Sequence, residues 1–423
     1  MVLFSRSTAF AKVTALAAKR QVHAAFAWMH NNPRILMDWQ AKLVAIPAPP
    51  FGEEARAAWI AERFVAVGLS DVETDAVGNV IGVVPAAHLP AESTGPVVVL
   101  SAHLDTVFPA NTRLNSQVRE LDGYRRLEAP GACDNGAGVA GMLALAHALI
   151  ESRTDMPVPL VVLANVGEEG EGDLRGVRHF YNASRFAGRV AAHVVLDGAG
   201  ADSAVTQALG SFRFQVTISG PGGHSFTDAG TPNPIAALAS ALALVGETPL
   251  PDEPRTTLNL GTIHGGTSVN SIPENATASI DFRSTSPSEL TRLEVALYRA
   301  MEDAVDRANK NPAATPNRSR GSLHFAIKKI GDRPAAQLPA DSPILETLRA
   351  VDRHLGLRTD LRLGSTDANI PIARGIPALS MGAGGDGGGA HTLGEWYIDK
   401  DRELGLRRAL LLTLGIAQWA AEQ

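Results

Sequence analysis

VVVLSAHLD, residues 97–105, is a run of apolar, mostly β-branched residues that breaks off in a histidine and an aspartate. A run this short, bounded by polar residues, reads as a strand buried on both faces, the kind found in parallel sheets. VPLVVLANVGEE (158–169) and AAHVVLDGAG (191–200) share the texture. Between the first two lies GVAGMLALAHALIES (138–152), a helix by its length and small-residue content. Helical spacing also marks EEARAAWIAERFVAVG (53–68). The alternation predicts an α/β domain on a central, mostly parallel sheet. Each strand releases polar residues at its carboxyl end, where open α/β sheets place ligands.

From about residue 210 the texture changes. SFRFQVTISG (211–220) alternates like a half-buried strand, and PNPIAALASALALVG (232–246) reads as a helix. TTLNLGTIHGG (256–266) and ATASIDFRS (276–284) return to strand, a helix follows over 288–309, and SLHFAIKKI (322–330) closes the series. This β-α-β-β-α-β order predicts an inserted ferredoxin-like α+β domain. The expected domains are 1–209 and 332–423 for the α/β part, with 210–331 for the insert.

Composition narrows the class. The chain has 423 residues, 45% hydrophobic and 19% charged, which is enough apolar content for sizeable cores and excludes wholesale disorder. A net charge of -6 lacks the basic footprint of a nucleic-acid binder. No apolar run reaches the roughly 18 residues that a membrane span needs. We therefore expect neither nucleic acid nor membrane as partner, and a cytoplasmic location. Before Asp38 the chain carries Arg6, Lys12, Lys19, Arg20 and Arg34 and no acid, a pattern shared by targeting segments and by an amphipathic helix packed on the body. Cys133 is the one cysteine, so disulfides and thiolate metal clusters are excluded and any metal needs His and carboxylate ligands.

Those residue types collect at strand ends. His103 and Asp105 lie in SAHLDT, Asp134 in GACDNGAG, Glu168 and Glu169 in VGEEGEG, Asp197 in VLDGAG, and His391 in GGGAHTLGEW. One His-x-Asp carries little weight, but several carboxylates and two imidazoles at one sheet edge are electrostatically costly unless a cation sits among them. Nitrogen and oxygen ligands suit zinc, manganese or cobalt. The number of donors suggests two cations about 3.5–4 Å apart sharing a carboxylate and a water. His103, Asp134, Glu169, Asp197 and His391 are the five candidate ligands, with Asp105 behind His103 fixing its ring. Glu168, beside a ligand and not spent on metal, is placed to act as general base. The glycines of GAGGDGGGA (382–390) are followed by no Gly-Lys-Ser/Thr, so they read as a turned approach to His391 and not as a phosphate loop.

These motifs, in this order over roughly residues 40–415, resemble the dinuclear-zinc exopeptidase family that includes peptidase T, carboxypeptidase G, aminoacylase and succinyl-diaminopimelate desuccinylase. The resemblance implies that Asp134 bridges two metals, that His103 and Asp197 complete one site and Glu169 and His391 the other, and that Glu168 is the base. It also implies a catalytic domain interrupted by a lid that forms a homodimer interface. His224 in SGPGGHS matches the family's lid histidine, which reaches the scissile carbonyl as oxyanion donor. Asn270 (TSVNSIP) and Arg283 (SIDFRS) match substrate-contacting lid positions, and Arg283 is suited to clamp a carboxylate. The stretch SFTDAGTPNP after His224 departs from the family pattern.

Asp197 matches the aspartate of the peptidase T and dipeptidase branches, where carboxypeptidase G and desuccinylase relatives carry glutamate. LGSTDANIP (363–371) resembles a substrate-side loop of peptidase T-like members, offering Ser365 and Asp367. The resemblance thus implies a di- or tripeptide aminopeptidase with two divalent cations, most simply zinc. A deacylase of N-acyl amino acids using the same site is the alternative.

Overall fold

Four strands, Leu160–Asn165, Val97–His103, Val190–Leu196 and Ala378–Met381, lie side by side in that order, all parallel. The computed structural model describes residues 2–87, 94–310 and 321–423, with side chains from Thr8 onward, so residues 311–320 of the expected insert lie outside it. Successive side chains of these strands feed two separate apolar layers. Val98, Leu100, Ala102, Val162 and Val194 pack with the helices Gly136–Glu151 and Arg402–Ala421. Val97, Val99, Val161 and Leu163 pack with Val177 and Phe180 of the helix Arg175–Ala183. Coverage on both faces is why these strands read as unbroken apolar runs.

The parallel core agrees with the expected mostly parallel sheet, and antiparallel pairs join it at the margins. Val80–Val84 runs antiparallel to both Leu160–Asn165 and Ser70–Thr74. Only five residues, 75–79, join Ser70–Thr74 to Val80–Val84, with Gly78 at φ +99°, and a connection that short permits only antiparallel pairing. At the other margin Ser203–Ala208 pairs antiparallel with Ala378–Met381 and parallel with Asp360–Gly364.

The chain divides into two compact units, Met1–Ala208 with Gln337–Gln423, and Leu209–Ala336. The first also holds a small antiparallel sheet in the order Asp386–Gly388, Trp396–Ile398, Tyr124–Glu128, Gln117–Leu121. Its amino-terminal helices Val2–Ala17, Arg20–Asn31 and Pro33–Val44 bury Val13, Leu16, Val22, Phe26, Leu36 and Leu43 in the same layer as the Gly136–Glu151 helix. The acid-free start is thus built into the body over residues 8–44. The second unit is an antiparallel sheet in the order Thr256–Gly265, Asn275–Ser284, Gly210–Ser219, His324–Arg333, with helices Pro234–Gly246 and Pro287–Lys310. That order, with its two crossing helices, is the ferredoxin-like arrangement.

One polar chain is sealed in the first unit's sheet. Ser101 Oγ lies 2.8 Å from His193 Nε2, and the Tyr181 hydroxyl lies 3.0 Å from His193 Nδ1. Burial pushes the His193 imidazole down to about 3. The folded protein keeps it neutral while the unfolded chain takes a proton below about 6.5, so stability falls as pH drops through 6.5, by up to about 1.4 kcal/mol per pH unit. Urea unfolding between about pH 7.5 and 5 should show this slope and His193→Gln should lose part of it. Equal slopes in the two proteins would remove His193 as its cause.

Candidate metal centre

Parallel central strands deliver their carboxyl ends to one edge. His103 pairs in register with Asn165, and Leu196 with Met381. His103 is therefore flanked by the Glu168-Glu169 turn, which follows Asn165, and by Asp197, which follows Leu196. Asp134 joins them from the loop before the Gly136–Glu151 helix; its peptide bond to Asn135 is cis. Asn135 caps that helix by accepting the Gly138 N–H at 3.0 Å. The same side chain accepts the Gly198 N–H at 3.0 Å and donates to the Leu196 carbonyl at 2.9 Å, tying the Asp134 loop to the Asp197 strand end. Gly167 stands at φ +66°, and a Cβ there would lie 2.7 Å from Arg175 Cγ, so the turn into Glu168 requires glycine.

His103 Nδ1 donates to the Asp105 carbonyl at 3.1 Å, which leaves Nε2 as the outward nitrogen. That Nε2 lies 3.2 Å from Asp134 Oδ1 and 3.7 Å from Asp197 Oδ1. His391 Nε2 lies 3.0 Å from Asp134 Oδ2 and 3.1 Å from Glu169 Oε1. The two oxygens of one carboxylate thus face two different imidazoles, each accompanied by a further acid. Donor atoms of His103, Asp134 and Glu169 lie within 4.8 Å of one another. His391 stands at φ +64°, a sparsely populated conformation, after the glycine-rich approach.

Charge is concentrated here. Burial alone would lower the His103 pKa, but the Asp105, Asp134 and Asp197 carboxylates outweigh it and raise it well above the ordinary value. Burial works against the Asp134 carboxylate, yet His103 and His391 hold it below the usual range. Burial and the neighbouring Asp134 push Glu169 up to about 7, and hydrogen bonding to Asp134 raises His391 to about 9. Three carboxylates and two imidazoles in contact fit divalent cations with nitrogen and oxygen preference.

Residues 99–413 match peptidase family M20/M25/M40. The chain belongs to this family. A probable carboxypeptidase of Ajellomyces dermatitidis is 27% identical over 269 residues, 60% of this chain and 58% of that protein. The chain spans less than two thirds of the length of the curated relatives it matches. Among solved structures, a tripeptidase of Staphylococcus aureus aligns with a TM-score of 0.69 at 22% identity, covering 93% of this chain and 99% of its own. Aminopeptidase PepT of Bacillus cereus aligns with a TM-score of 0.67 at 20% identity, over 93% and 99%. Family and fold agree with the resemblance read from the motifs.

Around the donors, this peptidase-family chain differs from the sequence expectation in detail. Asp105 holds the His103 ring through its backbone carbonyl; its carboxylate Oδ1 is 3.7 Å from Nδ1. That carboxylate instead accepts the Glu168 and Glu169 N–H groups at 3.0 and 2.8 Å, and so shapes the turn that carries both acids. Glu168 is buried beside Glu169. Asp367, expected on a substrate-side loop, is fully buried, and its Oδ2 accepts from Asn165 Nδ2 at 2.7 Å. Burial raises the Asp367 pKa to about 7, helped by Asp105 and Asp197. Ser365 is half-buried, just before it. Burial pushes the Cys133 thiol up to about 12, away from its thiolate form.

Two residues of the site escape the motif reading. Glu395, 1% exposed, accepts the N–H groups of Gly131, Cys133 and Asp134, each at 2.7 Å. Arg56 is buried and donates to the carbonyls of Leu104 at 2.6 Å and Ile46 at 3.1 Å, fixing the chain between His103 and Asp105. Position in the helical run 53–68 gave Arg56 no distinguishing mark.

Three candidates belong to the second unit. His224 is exposed, and its Nδ1 accepts the N–H groups of Phe226 at 3.2 Å and Thr227 at 3.3 Å. Asn270 is exposed; its carbonyl accepts the Ser225 N–H at 3.0 Å, one residue beyond His224. Arg283 is half-buried with its Nε 2.7 Å from Asp281 Oδ2, an ion pair within its own strand.

Proposed function

We propose that the chain is a metal-dependent aminopeptidase of di- and tripeptides working with two divalent cations, zinc in the first instance, manganese or cobalt being served by the same ligands. The observation that carries this reading is the Asp134 carboxylate, with one oxygen toward His103, whose Nε2 also faces Asp197, and the other toward His391, whose Nε2 also faces Glu169. The first group would hold one cation and the second group the other. Bound there, two cations would acidify an attacking water and polarise the scissile carbonyl. Glu168 takes the water's proton and delivers it to the leaving amine. His224 accepts two N–H groups at Nδ1, so in its neutral form its proton sits on Nε2, free to serve a developing oxyanion. Asn270, Arg283 and Ser365 would contact the substrate, and Asp367, being buried, would support that loop from behind.

Asp197 in place of glutamate favours substrates with a free amino terminus, and the tripeptidase and aminopeptidase names of the two structural neighbours point the same way. The name of the fungal relative points to the other end of a peptide. A homodimer through the second unit belongs to the same reading, supported by the exposed apolar Leu260 and Ile263 on its edge strand. So does a cytoplasmic location; no helix among the described residues is long and apolar enough to cross a membrane.

The test is a matched panel on metal-loaded protein eluted through a light-scattering detector, where a dimer mass is expected and a monomer mass would end the dimer proposal. Free-amine di- and tripeptides should be cleaved, whereas their N-acetylated counterparts and simple N-acyl amino acids should not. Cleavage of the acetylated peptides from the carboxyl end would make the chain a carboxypeptidase, and cleavage of N-acyl amino acids alone a deacylase.

A further inference from the structure

The hairpin between Thr106 and Asp134 carries charges that the chemistry above does not use. Its strands Gln117–Leu121 and Tyr124–Glu128 are antiparallel, with Arg119 opposite Arg126 and Gln117 opposite Glu128. Alternation puts all four side chains on one face, where they floor a groove of ≈ 820 Å³ that Arg113 also lines. Like charges directly opposite one another weaken an antiparallel pair, so an anion held between Arg119 and Arg126 would relieve their repulsion.

The hairpin itself supplies only part of one. Arg126 Nε lies 3.0 Å from Glu128 Oε1, and its guanidinium is held 4.2 Å over the Trp396 ring. Arg119 Nη2 donates to the neutral Gln117 amide oxygen at 2.6 Å. Among the described residues neither Arg113 nor Arg119 has a carboxylate within ion-pair reach. The groove's other acid, Glu395, is occupied by the N–H groups of Gly131, Cys133 and Asp134. Two guanidinium groups are thus left facing a space large enough for an amino-acid side chain.

The groove borders the metal centre in the covalent structure. Ala129, Pro130 and Glu395 line it, and the first two lead directly into the loop that carries Asp134. Leu393, two residues beyond His391, lines it as well. A peptide held at the centre therefore has an adjoining cationic surface. Guanidinium forks match carboxylates in geometry and charge.

We propose that this groove is a subsite for a carboxylate of the peptide substrate, bound by Arg113 and Arg119 with Arg126 as their stacked neighbour. The proposal rests on the peptidase reading and supplies a substrate class for it: short peptides with an acidic side chain or with a free carboxyl terminus within reach of the groove.

Four peptides separate the sources of the carboxylate: Ala-Ala-Glu, Ala-Ala-Gln, and the carboxy-terminal amide of each. They are compared in the wild-type chain, in the Arg113→Gln/Arg119→Gln double variant, and in Arg307→Gln as an exposed charge control in the other unit. If a side chain is read, KM for the Glu peptides should lie about tenfold below that for the Gln peptides. If the carboxyl terminus is read, amidation should raise KM about tenfold. Either ratio should fall toward one in the double variant and persist in Arg307→Gln, with kcat ratios less affected. Isothermal titration of the metal-loaded Glu168→Gln chain, with and without the two arginine changes, reads the same ratios as affinities with turnover suppressed. A wild-type chain that cleaves none of the four would overturn the peptidase reading, while the titration would still decide the groove. Ratios equal in the presence and absence of Arg113 and Arg119 in the titration would overturn the subsite.

Discussion

Glu168→Gln is expected to lower kcat by about 10²–10⁴-fold while leaving metal content at the wild-type level. Glutamine preserves the side chain's volume at a buried position and keeps the backbone N–H of residue 168 on Asp105 Oδ1, so the turn into Glu169 should stand. What it removes is a carboxylate able to take a proton at neutral pH. The five proposed ligands are untouched, so metal analysis of the purified variant should return the same stoichiometry as wild type. A variant retaining more than about a tenth of wild-type turnover would take the base role away from Glu168. A variant that has lost metal would instead make Glu168 a ligand, and the Asp134-centred assignment would need redrawing.

The parts of this centre that were legible in the sequence are those whose signal is a residue type at a strand end. A buried strand is costly to end in charge, so His103, Glu168, Glu169 and Asp197 stand out against the apolar runs that precede them. The insert was legible because half-buried antiparallel strands alternate with period two, as Gly210–Ser219 and Asn275–Ser284 do. The hairpin Gln117–Glu128 was not, although Asp122-Gly123 takes the two positive φ angles of a tight hairpin turn, because its strands are largely exposed and have no apolar period. LGSTDANIP resembles a substrate-side loop, yet Thr366, Asp367 and Asn369 are buried. Asp367 leaves water with a hydrogen bond from Asn165, on a strand some 200 residues away, while Asn369 Oδ1 and Thr366 Oγ1 accept the N–H groups of Thr366 and Ala368 within the loop. The mixed margins of the sheet likewise follow from connection lengths and from pairings that no local pattern encodes.

Glu395 is the extreme case, because what it satisfies is backbone, and backbone N–H groups have no residue signature. Glu395→Ala should unfold at a temperature lower by roughly 5 °C and bind metal at least tenfold more weakly. The first expectation comes from three buried N–H groups losing a charged acceptor, each bond to such a group contributing about 1.5–3 kcal/mol in isolation and less when the three are lost together. The second comes from position: the Asp134 N–H is one of the three, so the carboxylate facing both imidazoles sits on a loop that Glu395 pins. Glu395→Gln separates the contributions. Its single carbonyl oxygen can keep the Cys133 and Asp134 bonds now made to Oε1 while giving up the Gly131 bond made to Oε2, so its losses should be intermediate. Thermal unfolding with and without a chelator distinguishes the two routes. If the alanine variant is destabilised equally in both conditions, the N–H groups alone account for the effect. A deficit larger in the metal-loaded pair adds the weakened metal site, since bound ligand stabilises by mass action. Unfolding temperature and metal affinity both equal to wild type would mean that the loop holds Asp134 without Glu395.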